Sequence, residues 1–163
     1  MSTFVCVGNA TQPFSRLLDA VCGIAEYLPQ PVVVQYGAAD DYSCPKCSVV
    51  AYMDMMEFEK HVAEAELLIM HAGAGSVIHA VRSGNIPVVM PRHADLGEHI
   101  DNHQLEFSHQ LEETSKILVA NDAATLLDVC NLSLSRQIAI DENNISEPPL
   151  VKMVKDLIEG DCG

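Results

Sequence analysis

Residues Leu67-Leu-Ile-Met-His-Ala-Gly-Ala-Gly-Ser76 constrain the fold more than any other stretch of the chain. Four apolar residues run into a small, glycine-rich turn, and Val77-Ile78-His79-Ala80-Val81 reads as the start of a helix. A buried strand that ends in a tight turn and opens a helix is the joint with which α/β proteins hold phosphate. The first N–H groups of the helix lack intrahelical partners, and the helix dipole places partial positive charge at the same end. Gly73 and Gly75 have no Cβ, so a ligand oxygen can approach their backbone closely. Ser76 is placed to cap the helix, to bond a phosphate, or both. The same residues would also serve a plain strand-turn-helix joint whose glycines are there for packing, and the pattern by itself leaves both open.

Composition narrows the choice. The chain has 163 residues, of which 48% are hydrophobic, enough for one domain with a real core and too apolar for disorder. Its 23 acidic and 9 basic side chains give a net charge of −14. Too few cations are present to neutralise a run of nucleic-acid phosphates. Any phosphate the chain holds must therefore be held mainly by backbone N–H groups, which fits the turn at Gly73–Ser76. No segment has the length or continuity of a membrane span, and Met1-Ser-Thr-Phe-Val-Cys6 lacks the pattern of a signal peptide. A cytoplasmic location is expected, with the cysteines Cys6, Cys22, Cys44, Cys47, Cys130 and Cys162 mostly reduced.

Strand and helix patterns alternate along the chain. Phe4–Gly8 reads as a first strand, and Phe14, Leu17, Leu18, Val21, Ile24, Ala25 and Leu28 form a helical stripe closed by Pro29 and Pro31. Val32–Gln35 and Ser48–Tyr52 are the next strands, separated by a polar loop that carries Cys44 and Cys47. Met55, Phe58, Val62 and Ala65 mark an amphipathic helix before the Leu67 strand. Beyond Gly84 come a strand at Pro87–Pro91, a charged loop over Arg92–Ile100, a helix over Asp101–Leu111, a strand at Ile117–Ala120 and a helix from Asp122 to about Leu132. Ser146–Glu159 has the stripe of a last helix. This pattern predicts one α/β domain over residues 1–163, a Rossmann-like, doubly wound, mostly parallel sheet. Ligands of such sheets sit at the carboxyl ends of the strands. Those ends are Gly8-Asn9, Gly37, Tyr52-Met53, His71–Ser76 and Pro91-Arg92.

The ordered motifs Gly8…Gln12-Pro13-Phe14…Arg16-Leu17, His71-Ala-Gly-Ala-Gly-Ser76, Pro87-Val-Val-Met-Pro-Arg92, Gly97-Glu-His99 and Asp101-Asn-His-Gln104 together resemble the C-terminal, donor-binding domain of glycosyltransferase family 28. More closely, they resemble the free-standing small subunits of split enzymes, found in bacterial exopolysaccharide loci and in the dolichol-linked N-acetylglucosamine transferase of eukaryotes. The resemblance covers residues 3–130 and implies one half of a GT-B enzyme. This chain would bind a UDP-sugar, and a separate membrane-anchored subunit would bind a polyprenyl-linked acceptor and recruit the chain to the cytoplasmic membrane face. Transfer would be inverting, with no metal and no further cofactor. The amides of Gly73, Ala74, Gly75 and Ser76 would hold the diphosphate. Tyr52 and Met53 would flank the uracil, although Tyr52 equally suits core packing. Glu98, Asn102, His103 and Gln104 would meet ribose and sugar hydroxyls, for which Asn and Gln offer both donor and acceptor. Gly8 and Asn9 would border the phosphates, and Arg92 would pair with a phosphate or with Glu98. The last helix, 146–159, would dock on the partner or pack on its own sheet.

No catalytic base is evident. His71 is the one candidate, and a structural histidine at the end of a buried strand is the preferred reading. His93, His99 and His103 share a short loop but are too loosely constrained to define a metal site. Cys44-Pro-Lys-Cys47 lacks the two further ligands zinc needs and is expected to be a surface loop with two free thiols. Bacterial relatives read Gly-Thr-His-Glu-Gln-Pro-Phe where this chain reads Gly8-Asn9-Ala10-Thr11-Gln12-Pro13-Phe14. That departure leaves a non-catalytic, nucleotide-sugar-binding regulatory or scaffold subunit as the alternative.

Overall fold

The structure, a computed structural model, describes residues 2–143. The expected helix over 146–159 lies outside the described residues. Six strands, β1 (Thr3–Cys6), β2 (Val32–Gln35), β3 (Ser48–Val50), β4 (Leu67–His71), β5 (Val88–Met90) and β6 (Leu118–Val119), form one sheet in the order β3-β2-β1-β4-β5-β6. Every pairing is parallel. Five α-helices, α1 (Ser15–Ile24), α2 (Met55–Glu64), α3 (Ala74–Arg82), α4 (His103–Glu112) and α5 (Ala123–Asn143), complete the domain. The architecture is the expected single doubly wound α/β domain.

The alternation of strand side chains feeds two separate cores. Val5 and Val7, Leu67 and Ile69, and Val88 and Met90 point to one face, where they meet Leu17, Leu18 and Val21 of α1 and Leu126 and Cys130 of α5. Phe4 and Cys6, Leu68 and Met70, and Val89 point to the other, against Val62 of α2, Val77 and Val81 of α3, and Leu111 of α4. A sheet covered on both faces explains why the central strands read as unbroken apolar runs. Strand β3 is the exception: all three of its residues are exposed, as suits an edge.

Strand order reverses direction between β1 and β4, which are neighbours in the sheet although two strands separate them in sequence. The loops after β1 and β4 therefore diverge to opposite faces, and a cleft opens at their carboxyl ends.

Helix α5 runs to Asn143, well past the expected end near Leu132. No glycine or proline interrupts 133–143, and the added turns are anchored. Ser133 Oγ donates to the Ile86 carbonyl at 2.6 Å, Gln137 Nε2 donates to the Gly84 carbonyl at 3.0 Å, and Gln137 Oε1 accepts the Ile86 N–H at 3.1 Å.

The cysteine expectation is corrected in part. Cys44 is buried and forms a disulfide with Cys22 of α1, while Cys6, Cys47 and Cys130 are free thiols. The loop between β2 and β3 thus carries one free thiol and is stapled to α1. Its contacts explain why Cys44 finds Cys22: Tyr42 Oη donates to the Leu18 carbonyl at 3.1 Å, and Lys46 pairs with Glu26 at 3.0 Å. The first holds the loop along α1, and the second ties it to the turn that follows the helix.

Candidate functional site

Helix α3 begins with an uncapped turn. Gly73 occupies the N-cap position and no side chain caps the helix. The first intrahelical bond runs from the Val77 N–H to the Gly73 carbonyl at 3.0 Å. The N–H groups of Ala74, Gly75 and Ser76 precede it and, among the described residues, have no acceptor. Ser76 therefore sits inside the first turn, and the capping position expected of it belongs to Gly73. Ala74 and Gly75 are exposed to solvent, and a Cβ added at Gly75 would meet nothing within 4 Å.

These amides open into a cleft of about 490 Å³. Gly8 and Asn9 after β1, Gln35 at the end of β2, Met53 and Asp54 after β3, Phe58 and Glu59 of α2, and Gly75, Ser76 and His79 of α3 line it. None of its walls is a lysine or arginine, and Asp54 and Glu59 are acidic. An anion held here would owe its binding to backbone dipoles.

Gln35 joins the loops around this cleft, and the sequence reading missed it. Its Oε1 accepts the Gly8 N–H at 3.1 Å, and its Nε2 donates to the carbonyls of Gly8 at 3.2 Å and Ala51 at 2.8 Å. The Cys6 thiol also donates to Gln35 Oε1, at 3.3 Å, and burial pushes that thiol up to about 11, so it stays protonated. The available signal was a polar residue closing the apolar run Val32-Val33-Val34. Asp54 was legible too: it precedes Glu57 by three residues, and its Oδ1 caps α2 by accepting the Glu57 N–H at 2.8 Å.

His71 is buried between two glycines. Ring atoms of His71 stand where a Cβ on either Gly8 or Gly73 would go. Its Nδ1 lies 3.3 Å from the Cys6 carbonyl, which can only accept, so Nδ1 carries the proton and Nε2 the lone pair. Burial, then the charge of Arg92, brings its pKa down to about 4. The side chain is a neutral, hydrogen-bonded wedge.

The candidates beyond β5 form a second cluster that does not line the cleft. Arg92 is 1% exposed, and its guanidinium does not pair with the Glu98 carboxylate. Its guanidinium donates to three carbonyls: Gln12 at 2.8 Å, Glu98 at 2.8 Å and Val7 at 2.6 Å. The carboxylate of Glu98 instead takes Arg16, with Nε to Oε1 at 2.9 Å and Nη2 to Oε2 at 3.0 Å, and the His93 N–H at 2.9 Å. Both arginines lie over the Phe14 ring, 5.4 Å from its centroid for Arg16 and 4.7 Å for Arg92. This stack joins the loop before α1 to the loop over 92–100.

Gln104 Oε1 accepts the Arg92 N–H at 3.1 Å, and Asn102 Oδ1 accepts the Ala94 N–H at 3.0 Å. Asp101 stands between His99 and His103, 3.2 and 3.3 Å from their Nδ1 atoms. Tyr52 is 51% exposed, which removes the core-packing reading, and Met53 beside it borders the cleft. Among the described residues no group of three His, Cys, Asp or Glu side chains is placed to hold a metal ion, and no helix is long and apolar enough to cross a membrane.

Comparisons with known proteins bear on the family and the fold. The UDP-N-acetylglucosamine transferase subunit ALG13 of Yarrowia lipolytica is 28% identical over 149 residues, covering 84% of this chain and 74% of that protein. A UDP-N-acetylglucosamine–N-acetylmuramyl-(pentapeptide) pyrophosphoryl-undecaprenol N-acetylglucosamine transferase of Bdellovibrio bacteriovorus is 30% identical over 104 residues, 60% of this chain but only 28% of that protein. Among solved structures, the kitacinnamycin glycotransferase superposes with a TM-score of 0.61 at 18% identity, over 96% of this chain and 37% of that one. Acinetobacter baumannii MurG gives 0.57 at 19% identity, over 97% of this chain and 49% of that one. At such identities the structures speak for the fold, and this chain spans half or less of each. The family model described as the glycosyltransferase family 28 C-terminal domain matches residues 2–128, and the chain belongs to that family.

Proposed function

We propose that this chain is the donor-binding half of a two-chain, inverting glycosyltransferase, which moves a hexose from a UDP-sugar onto a polyprenyl-diphosphate-linked acceptor. The observation that carries the reading is the uncapped mouth of α3, where the Ala74, Gly75 and Ser76 amides face a cleft without cationic side chains. N-acetylglucosamine is the first sugar to test, because both curated relatives carry it in their names. Galactose, glucose and glucuronic acid are the other candidates.

In this reading the diphosphate lies against the three amides. Negative charge grows on it as the sugar departs, and fixed dipoles already aimed there stabilise the transition state without reorganising. Uracil lies between the exposed Tyr52 ring and Met53, on the β3 side of the cleft. Asn102, His103 and Gln104 approach ribose or sugar hydroxyls from the α4 side; the Gln104 carbonyl is committed to Arg92, so its amide group is the donor. Glu98 and Arg92 shape the 92–100 loop and make no ligand contact of their own. Acceptor, anchor and general base come from the partner subunit, which supports location at a cytoplasmic membrane face.

Titration calorimetry of the isolated chain with UDP should show binding, and transfer should appear only after co-expression with an acceptor-binding partner. Absence of heat and of any thermal shift with UDP would remove the proposal. The departure at Asn9-Ala10-Thr11 favours a second reading, a non-catalytic subunit that senses nucleotide-sugars. Sugar transfer by the reconstituted pair that is lost in Asn102→Ala or Gln104→Ala would eliminate it.

A further inference from the structure

The loop between β2 and β3 brings three cysteines to one place. Cys44 is buried and bonded to Cys22 of α1. Cys47 closes a turn on Cys44, its N–H donating to the Cys44 carbonyl at 3.0 Å. Such a turn holds its first and fourth Cα atoms within about 7 Å, inside the reach of a disulfide. Cys44 thus has two possible sulfur partners, one on the helix and one in its own turn. Cys47 is only partly buried, and its side chain packs on the same core cluster as Tyr42.

We propose that Cys22, Cys44 and Cys47 form a thiol–disulfide exchange centre in which the Cys47 thiolate attacks Cys44 Sγ, forming a Cys44–Cys47 bond and releasing Cys22 as the thiolate. One S–S bond forms as one breaks, and the proton lost from Cys47 is regained at Cys22, so no outside oxidant or reductant is needed. The exchange replaces a tie between loop and helix with a tie inside the loop. The Tyr42–Leu18 hydrogen bond, the exposed Lys46–Glu26 pair just past α1 and the packing of Tyr42 and Cys47 would then hold the loop, with no covalent tie. Ser48, the next residue after Cys47, opens β3, the strand that leads to Tyr52 and Met53. The proposal does not depend on nucleotide-sugar binding.

The titratable and charged groups around Cys47 are Tyr42, with Asp19 of α1 beyond it, and the Lys46–Glu26 pair. Burial raises the Cys47 thiol, so the thiolate is scarce at neutral pH and exchange is slow there. While the thiol remains mostly protonated, its thiolate fraction rises about tenfold per pH unit, and the exchange rate should follow.

Peptide mapping of the full chain after alkylation, without reduction, reads the two states. Trypsin leaves Cys22 and Cys44 together on the peptide 17–46 and places Cys47 on the peptide 47–60. At neutral pH the first should carry an internal disulfide and the second an alkylated Cys47. Incubation at raised pH should join the two peptides and alkylate Cys22. Cys22→Ser, oxidised with glutathione disulfide, should give the joined species alone, whereas Cys47→Ser should keep the internal disulfide at every pH. The proposal is overturned if all three cysteines are alkylated in the native chain. It is equally overturned if the peptides never join in the wild type at raised pH.

Discussion

Gly8 and His71 compete for one space: a Cβ built on Gly8 would stand 2.5 Å from His71 Nε2. A Cβ on Gly73 would meet the same ring, also nearest at Nε2. The imidazole cannot retreat easily, because Nδ1 is tied to the Cys6 carbonyl. Gly8→Ala and Gly73→Ala should each destabilise the fold by about 1–3 kcal/mol in urea unfolding. In a His71→Ala background the cost of Gly73→Ala should shrink, whereas Gly8→Ala should keep the strain of its φ of +80°. Simple additivity of Gly73→Ala and His71→Ala would show that the wedge is not what excludes the methyl.

Substitution at Gly75 separates ligand binding from folding. A methyl there has open space, and alanine is the better helix former by roughly 0.5–1 kcal/mol. Gly75→Ala should therefore hold or raise stability while placing a methyl group in the path of the diphosphate. A tenfold or greater loss of UDP affinity by calorimetry, with unfolding midpoint unchanged or higher, is the expected pair of results. Undiminished affinity would move the phosphate site elsewhere.

Arg92 joins three segments through the carbonyl groups of Val7, Gln12 and Glu98. A lysine has no planar fork to reach the carbonyls of Val7, Gln12 and Glu98 together. Arg92→Lys should cost about 2–4 kcal/mol of stability, measurable by denaturant titration. Arg16→Lys, which keeps the charge beside the buried Glu98 but loses the fork and the carbonyls of Pro91 and Asn121, should cost less than Arg92→Lys, about 1–2 kcal/mol.

Stability should also report the neutral state of His71. Its folded pKa of about 4 lies below the ordinary value of 6.5. Below pH 6.5 the unfolded chain therefore binds a proton that the native chain refuses. The stabilisation is fully present above that value, and it is lost as pH falls from 6.5 toward 4. The loss amounts to about 3 kcal/mol. Unfolding titrations across this window should show a shallower decline in His71→Asn than in the wild type. Identical slopes would mean that burial does not hold the folded pKa of His71 below its unfolded value.

What the sequence made legible was local. Runs such as Leu67–Met70 and Val32–Val34 marked buried strands because the sheet is covered on both faces, and the strand-helix alternation gave the topology class. Element ends were less visible. Gly73 rather than Ser76 starts α3, so the helix begins three residues sooner than a Ser76 hydroxyl cap would place it. Helix α5 overran Leu132 because Ser133 and Gln137 find carbonyl and amide partners at Gly84 and Ile86, far away in sequence.

Pairings across the chain were not legible at all. Arg16 and Glu98 are 82 residues apart, and only the fold shows that Glu98 takes Arg16 and leaves Arg92 to the carbonyls. Cys44-Pro-Lys-Cys47 drew attention to a pair in sequence, while the bond forms with Cys22, 22 residues away, because Tyr42 lays the loop along α1. Gly73 through Ser76, by contrast, pointed to the cleft that Gly75 and Ser76 line, because a strand-to-helix joint is a contiguous pattern that sequence can show.

Holding an anion with main-chain donors has a genetic corollary. The amides at the mouth of α3 belong to the peptide backbone, so nearly every codon change at 74, 75 or 76 preserves them. Alanine scanning would leave each donor intact, and at 75 it would test the space beside the amide rather than the amide itself. Proline is the one replacement that deletes an N–H, and a proline series through 75 and 76 would map, atom by atom, what residue identity conceals.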